Sequence, residues 1–241
     1  RREFSKDIFW NRWSILNHKL KVAMGKLKIN EMFYSIQGEG VRAGLPCFFI
    51  RLHGCGLRCS YCDTTYSIDH KVGGEYLNFE EIKNQVYKSS AKFVEFTGGE
   101  PLEQPSVHLL IKDLLDEGFE VAVETAGHID ISTCDPRLII IMDVKTPSSL
   151  MSKKNNYDNF QHLKKKDEIK FVCGSLEDYE FSKKIIEENK LIEKVNAVLI
   201  SPIFDKIKPI ELVEQILKDK LQVRFQLQLH KFIWDPNERG V

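Results

Sequence analysis

The sequence predicts an α/β protein, a parallel sheet wound as a partial, open TIM-like barrel of the (β/α)6 type. Three observations predict it. Short apolar, β-rich runs alternate with stretches of helical period, which implies parallel strands joined by right-handed crossovers. These runs number six or seven, too few for a regular eight-unit barrel. The unusual polar motifs fall just after the runs, at strand carboxyl ends, where chemistry sits in such folds.

Each element has its own warrant. FFIRLHG (48–54) is apolar and closed by glycine, so it reads as a strand. Residues 79–88 read as a helix, and FVEFTGG (93–99) as a second strand ending in glycines. Residues 106–117 place Val107, Leu110, Ile111 and Leu114 at helical spacing, with Gly118 as a stop. FEVAVETAG (119–127) is a third strand, and LIIIMDVK (138–145) a fourth, apolar enough to be buried on both faces. EIKFVCG (168–174) and NAVLISPI (196–203) are followed by helices over 177–189 and 209–219. VRFQLQLH (223–230) alternates and reads as a last strand, which puts Gln228 and His230 on one face.

Composition excludes several classes. The 241 residues are 42% hydrophobic, ample for a buried core and unlike a disordered chain. Thirty-five basic residues balance 35 acidic ones, which argues against a nucleic-acid or membrane-surface binder. No apolar run approaches the roughly 20 residues of a bilayer span. Residues 1–23 are basic and poor in acids, and Trp10, Trp13 and Leu16 would mark one face of a short helix. They lack the apolar stretch of a secretory signal and read as an extension, with Met24 as the start of a single domain over 24–241.

The six cysteines are too few for a disulfide scaffold. Cys47, Cys134 and Cys173 are scattered and read as structural free thiols, in keeping with a reducing cytoplasm. Cys55, Cys59 and Cys62 instead form a CxxxCxxC cluster on the loop leaving the first strand. Soft thiolates at this spacing suit zinc or an iron–sulfur cluster. A closed zinc site normally needs four ligands, and no fourth Cys or His sits at finger-like spacing. A [4Fe-4S] cubane held by three cysteines leaves one iron open to a further ligand.

CxxxCxxC with Tyr61 before the last cysteine, together with Thr97-Gly-Gly-Glu-Pro101, resembles the radical S-adenosylmethionine superfamily. The chain from about Lys28 onward resembles the 7-carboxy-7-deazaguanine synthases within it. The motifs carrying that resemblance are Gln37-Gly-Glu-Gly40, Arg51 four residues before Cys55, Cys62-Asp63-Thr64, TGGEP, Glu124-Thr-Ala-Gly127 and Gln228-Leu-His-Lys231.

The resemblance implies a carbon–nitrogen lyase of the radical S-adenosylmethionine type. It would convert 6-carboxy-5,6,7,8-tetrahydropterin to 7-carboxy-7-deazaguanine with loss of ammonia, on the way to queuosine and other 7-deazapurines. Cleaved S-adenosylmethionine supplies a 5′-deoxyadenosyl radical that takes hydrogen from carbon 6 of the pterin, and S-adenosylmethionine is returned after turnover. The implied cofactors are a [4Fe-4S] cluster, S-adenosylmethionine and Mg2+. The implied partners are the pterin, an electron donor such as flavodoxin or ferredoxin, and a second copy of the chain in a homodimer.

Site residues follow by the same resemblance. Cys55, Cys59 and Cys62 hold the cluster and Thr64 holds Mg2+, although its residue type alone fits a turn-capping hydroxyl. Tyr61, Cys62, Asp63, Gly99, Glu100, Asp143, Val144, Lys145 and Ser148 meet S-adenosylmethionine. Ile36, Gln37, Gly38, Glu39, Arg51, Thr97, Gln228, His230 and Val241 meet the pterin. Arg51 suits a bidentate grip on a carboxylate, with a structural ion pair as its plain alternative. Glu124 is either a proton-transfer group or a ribose contact. An activase that makes a glycyl radical on a partner protein is the enzymatic rival, and a zinc scaffold the non-enzymatic one.

Overall fold

Every second residue of the apolar runs packs against helices, and this alternation builds the sheet. The computed structural model describes residues 25–241, so the extension 1–23, its helical face and the start at Met24 lie outside the described residues. The strands are β1 (Lys26–Ile36), β2 (Pro46–Leu52), β3 (Glu75–Asn78), β4 (Phe93–Gly98), β5 (Glu120–Thr125), β6 (Ile139–Asp143), β7 (Glu168–Cys173), β8 (Ala197–Pro202) and β9 (Arg224–Phe225). Among the described residues they form one nine-stranded sheet in the order β3-β1-β2-β4-β5-β6-β7-β8-β9. From β2 to β9 all neighbours are parallel, while β1 pairs antiparallel with β2 and β3. This is the partial, open barrel that the sequence predicts.

The helices are α1 (Phe79–Ser89), α2 (Val107–Asp116), α3 (Leu176–Glu188), α4 (Leu191–Lys194), α5 (Pro209–Asp219) and α6 (His230–Ile233). Asn78 and Glu81 close a capping box at the start of α1. In α2 the buried residues are Val107, Leu110, Ile111 and Leu114, the set picked out by periodicity. The connection from β6 to β7 runs through 3-10 turns at Pro147–Ser149, Ser152–Lys154 and Tyr157–Gln161 instead of a helix.

Two strands, β1 and β3, are absent from the sequence reading. β1 shifts register between Ile29 and Glu31, so the plain alternation of Leu27 and Ile29 does not continue along its length. The predicted last strand, 223–230, is a correction: β9 ends at Phe225. Gln226 keeps one backbone bond to Ile200, but its side chain accepts from the Gly40 amide at 2.7 Å, and Leu229 N donates to Gly38 O at 2.9 Å. The segment therefore pairs with the QGEG loop, and His230 opens α6 instead of sharing a strand with Gln228.

Most of the core lies between the sheet and the helices, from Ile50, Leu52, Phe96, Val123, Met142 and Phe171 to Leu110 and Leu212. A second, smaller cluster of Cys47, Phe49, Phe93, Ala122, Ile139 and Ile141, with Phe33 against it, fills the inner face.

Candidate active site

Strand pleating assigns the inner face residue by residue. Since Phe48, Ile50 and Leu52 face the helices, Phe49 and Arg51 face inward. The same alternation turns Glu95, Thr97, Glu124, Asp143 and Lys170 inward, above the small apolar cluster. They line one cavity of about 920 Å3. Its opposite walls come from the cysteine loop, the QGEG loop and residues 236–241.

Cys55, Cys59 and Cys62 are free thiols on this wall. Their loop is pinned by backbone: Gly54 N donates to Ser67 O at 2.7 Å, Cys55 N to Ile68 O at 3.2 Å, and Ser60 N to Ser149 O at 3.1 Å. Burial pushes the Cys55 thiol up to about 11, so binding iron must displace its proton. Burial also raises Cys59, opposed by the nearby Lys145 ammonium. Among the described residues no three Cys, His, Asp or Glu side chains converge on one point, as a single ion would require. A cubane makes no such demand, because each thiolate binds its own iron. The donor set of three soft ligands on one pinned loop fits that group.

The TGGEP turn packs backbone to backbone on this loop. Gly99 N donates to Leu52 O at 3.0 Å and Glu100 N to Gly54 O at 2.8 Å. A Cβ on Gly99 would lie 2.0 Å from Gly54 O, so only glycine permits the approach. The Glu100 carboxylate faces away from the cavity. It is fully buried and accepts from Leu102 N at 3.1 Å, Thr125 Oγ1 at 2.8 Å and Ala126 N at 2.8 Å. Its side chain braces the turn.

Beside the turn, Lys145 Nζ donates to Asp143 Oδ2 at 2.8 Å. Asp143 Oδ1 and the Tyr61 hydroxyl are buried without a partner, and both residues line the cavity. Two orphaned polar atoms next to the cysteines are what a hydroxyl-rich cofactor such as S-adenosylmethionine would satisfy.

The other half of the cavity is a polar network. Gln228 Nε2 donates to Glu39 Oε1 at 2.7 Å, and Lys170 Nζ to Glu39 Oε2 at 2.9 Å. Lys170 also meets Glu124, which accepts from Thr97 Oγ1 at 3.0 Å. Burial works against a charge on Glu124, but the Lys170 ammonium outweighs it and holds the carboxyl down to about 2. Burial, reinforced by the Glu124 charge, holds Glu95 well above the ordinary carboxyl value, and Gln37 Nε2 donates to it. Glu39 N donates to Gln37 Oε1 at 3.1 Å, so the QGEG loop holds its own polar side chains in place. Burial lowers His230, whose ring packs against Gly38 so closely that a Cβ there would lie 2.3 Å from Nδ1. Lys231 Nζ pairs with Asp63 Oδ2 at 3.2 Å and ties the last motif to the cysteine loop.

All predicted site residues except Glu100, Val144 and Ser148 line this one cavity. Val144 points into the outer core, and the Ser148 amide is taken by Asp178 Oδ1 at 2.9 Å. The sequence reading misses Lys170, Glu95, Glu31, Gln226 and Arg239. A signal existed for some of them: Glu168 and Lys170 are charged residues two apart in an apolar strand, and Glu95 and Thr97 are polar residues two apart in another.

Comparison with known proteins agrees with this geometry. The family model of the Radical SAM superfamily matches residues 49–142. The 7-carboxy-7-deazaguanine synthase of Chlorobaculum tepidum is 42% identical over 218 residues, covering 89% of this chain and 97% of the relative. The synthase of Clostridium acetobutylicum is 39% identical, covering 89% and 99%. The crystal structure of QueE from Escherichia coli shares the fold with a TM-score of 0.64 at 23% identity, covering 85% of this chain and 95% of that one. Family membership carries with it a [4Fe-4S] cluster, S-adenosylmethionine, a small-molecule substrate and the need for a reductant. The chain belongs to the 7-carboxy-7-deazaguanine synthases, a family of radical S-adenosylmethionine lyases in 7-deazapurine biosynthesis.

Proposed function

We propose that residues 24–241 convert 6-carboxy-5,6,7,8-tetrahydropterin to 7-carboxy-7-deazaguanine with release of ammonia. The observation that carries this reading is one cavity walled on one side by three free cysteines and on the other by Gln37, Glu39, Arg51, Gln228 and His230. Held together there, the cluster and S-adenosylmethionine supply a 5′-deoxyadenosyl radical.

The chain's own residues bind and orient. The Asp143 Oδ1 left without a partner receives ribose hydroxyls, with Lys145 fixing its other oxygen. The Arg51 guanidinium grips the pterin carboxylate. Glu39 and Gln37 read the amide and amine edge of the ring, with Gln228 and His230 beside them. Glu124 sits at the level of Thr97 and holds or passes a proton at the ring. Thr64, whose Oγ1 lies 3.6 Å from Cys62 Sγ, would hold Mg2+ through its hydroxyl, and the ion would neutralise charge on the substrate carboxylate. Residues 236–241, ending at Val241, cover the mouth and exclude water, and Arg239 lies 3.7 Å over the Tyr66 ring.

The working unit is a homodimer reduced by flavodoxin or ferredoxin in the cytoplasm. Among the described residues no helix is long and apolar enough to cross a membrane. Anaerobic metal analysis with equilibrium pterin binding tests the reading. Four irons with four sulfides, plus saturable binding that needs S-adenosylmethionine, is the result expected of a three-cysteine cubane. One zinc per chain, or no pterin binding, would overturn it.

A further inference from the structure

Strand β7 places two charged residues on the inner face, and both grip the QGEG loop. Glu168 Oε2 accepts from Val41 N at 3.0 Å, and Arg42 NH1 donates to Glu168 Oε1 at 3.1 Å. Two residues on, Lys170 is 5% exposed and reaches Glu39 at 2.9 Å as well as Glu124 on β5. One ammonium thus joins a loop before β2 to a strand two places along the sheet from β2.

We infer that Lys170 is a positioning residue, whose ammonium fixes Glu39 and Glu124 at set places on the pterin-reading wall. The inference rests on the proposed pterin chemistry and extends it to a residue that touches the reading groups from behind. Glu39 Oε2 also accepts from Gln226 Nε2 at 3.3 Å, and Oε1 from Gln228 at 2.7 Å, so Lys170 is the one charged partner among these three and makes the shorter of the two bonds at Oε2. The pair is also faced by Glu95 from β4, Asp143 from the end of β6, Lys145 from the turn after it, Glu168 from β7 and His230 from α6. Acids outnumber bases around it. Without Lys170, Glu39 and Glu124 would repel each other, and burial would favour protonating one of them.

Lys170→Met and Lys170→Arg, each reconstituted as holoprotein with S-adenosylmethionine, test this by anaerobic pterin binding from pH 8 to pH 6. Loss of one charged hydrogen bond predicts binding about 10–100-fold weaker for Lys170→Met. The weakening should grow as pH falls, while wild type stays flat across that window. Lys170→Arg keeps the charge and should bind several-fold weaker without gaining pH dependence. Iron content should be unchanged in both. A purely structural role would lower Tm and leave the pH profile flat, and that result overturns the inference. So does wild-type affinity in Lys170→Met or, if that variant does not fold, in Lys170→Arg. Wild type that binds no pterin removes the functional reading and the inference with it.

Discussion

Arg51 Nε donates to Glu31 Oε1 at 2.7 Å, and the same oxygen accepts from the Tyr66 hydroxyl at 3.0 Å. Both alternatives for Arg51 are therefore present at once. It is ion-paired, and it lines the cavity with Phe33 beneath its guanidinium, 5.8 Å from the ring centroid. Glu31 occupies Nε and fixes the plane, leaving the terminal nitrogens for a carboxylate.

Arg51→Lys should accordingly raise KM for the pterin by about 10–100-fold, the scale of one or two charge-assisted hydrogen bonds. Iron content and S-adenosylmethionine affinity should stay at wild type. Glu31→Gln should act in the same direction by less than about tenfold, because the hydrogen bond survives without its charge. Steady-state kinetics under anaerobic conditions check both.

Cys59→Ala removes a ligand and no core contact, for Cys59 is only partly buried. The variant should fold, with Tm within a few degrees of wild-type apoprotein, and lose both the visible absorbance of the cluster and turnover. A folded variant that keeps both would refute the ligand assignment.

Gly99→Ala places a methyl group 2.0 Å from Gly54 O, a backbone atom that cannot step aside. A cost of about 1–3 kcal/mol is expected from such overpacking, together with weakened S-adenosylmethionine binding as the turn shifts off the cysteine loop. Gly118→Ala is the control. Its φ is +88° with open space around it, so it should lower Tm through backbone strain and leave cofactor affinity untouched. Thermal melts and equilibrium dialysis separate the two.

Glu95→Gln reports a protonation state. Because burial raises the Glu95 carboxyl above its ordinary value near 4.5, folding favours the protonated form. Its stabilising contribution is fully present below that value and is lost as pH rises toward the folded pKa. Glutamine mimics the protonated acid at every pH. The unfolding free energy of Glu95→Gln should therefore match wild type near pH 5 and exceed it increasingly toward pH 8, by up to about 1.4 kcal/mol per pH unit, with Tm rising in parallel. A variant less stable at pH 8 would mean that Glu95 is ionised and paired.

What the sequence made legible follows from how local each signal is. The helices α1, α2, α3 and α5 and six parallel strands were readable because their apolar residues recur at fixed period over many positions. The cysteine loop and the TGGEP turn were readable because contiguous residues carry them. β1 was not, because the register shift after Ile29 breaks its alternation. The end of β9 was not, because the preference of Gln226 and Gln228 for Gly40 and Glu39 is a contact across 186 and 189 positions. Lys170 escaped for the same reason: its meaning lies in Glu39 and Glu124, 131 and 46 residues away. The orientation of Glu100 was not legible either, because its carboxylate is fixed by Thr125 and Ala126, 25 and 26 residues away.

The central claim, that one cavity joins the cysteine loop to a pterin-reading wall, is tested most directly by turnover. Reconstituted protein, S-adenosylmethionine, Mg2+, reductant and 6-carboxy-5,6,7,8-tetrahydropterin are incubated without oxygen and followed by mass spectrometry. The account predicts 7-carboxy-7-deazaguanine and ammonia in equal amounts, with both abolished in Cys59→Ala. Release of 5′-deoxyadenosine with the pterin unchanged would contradict it.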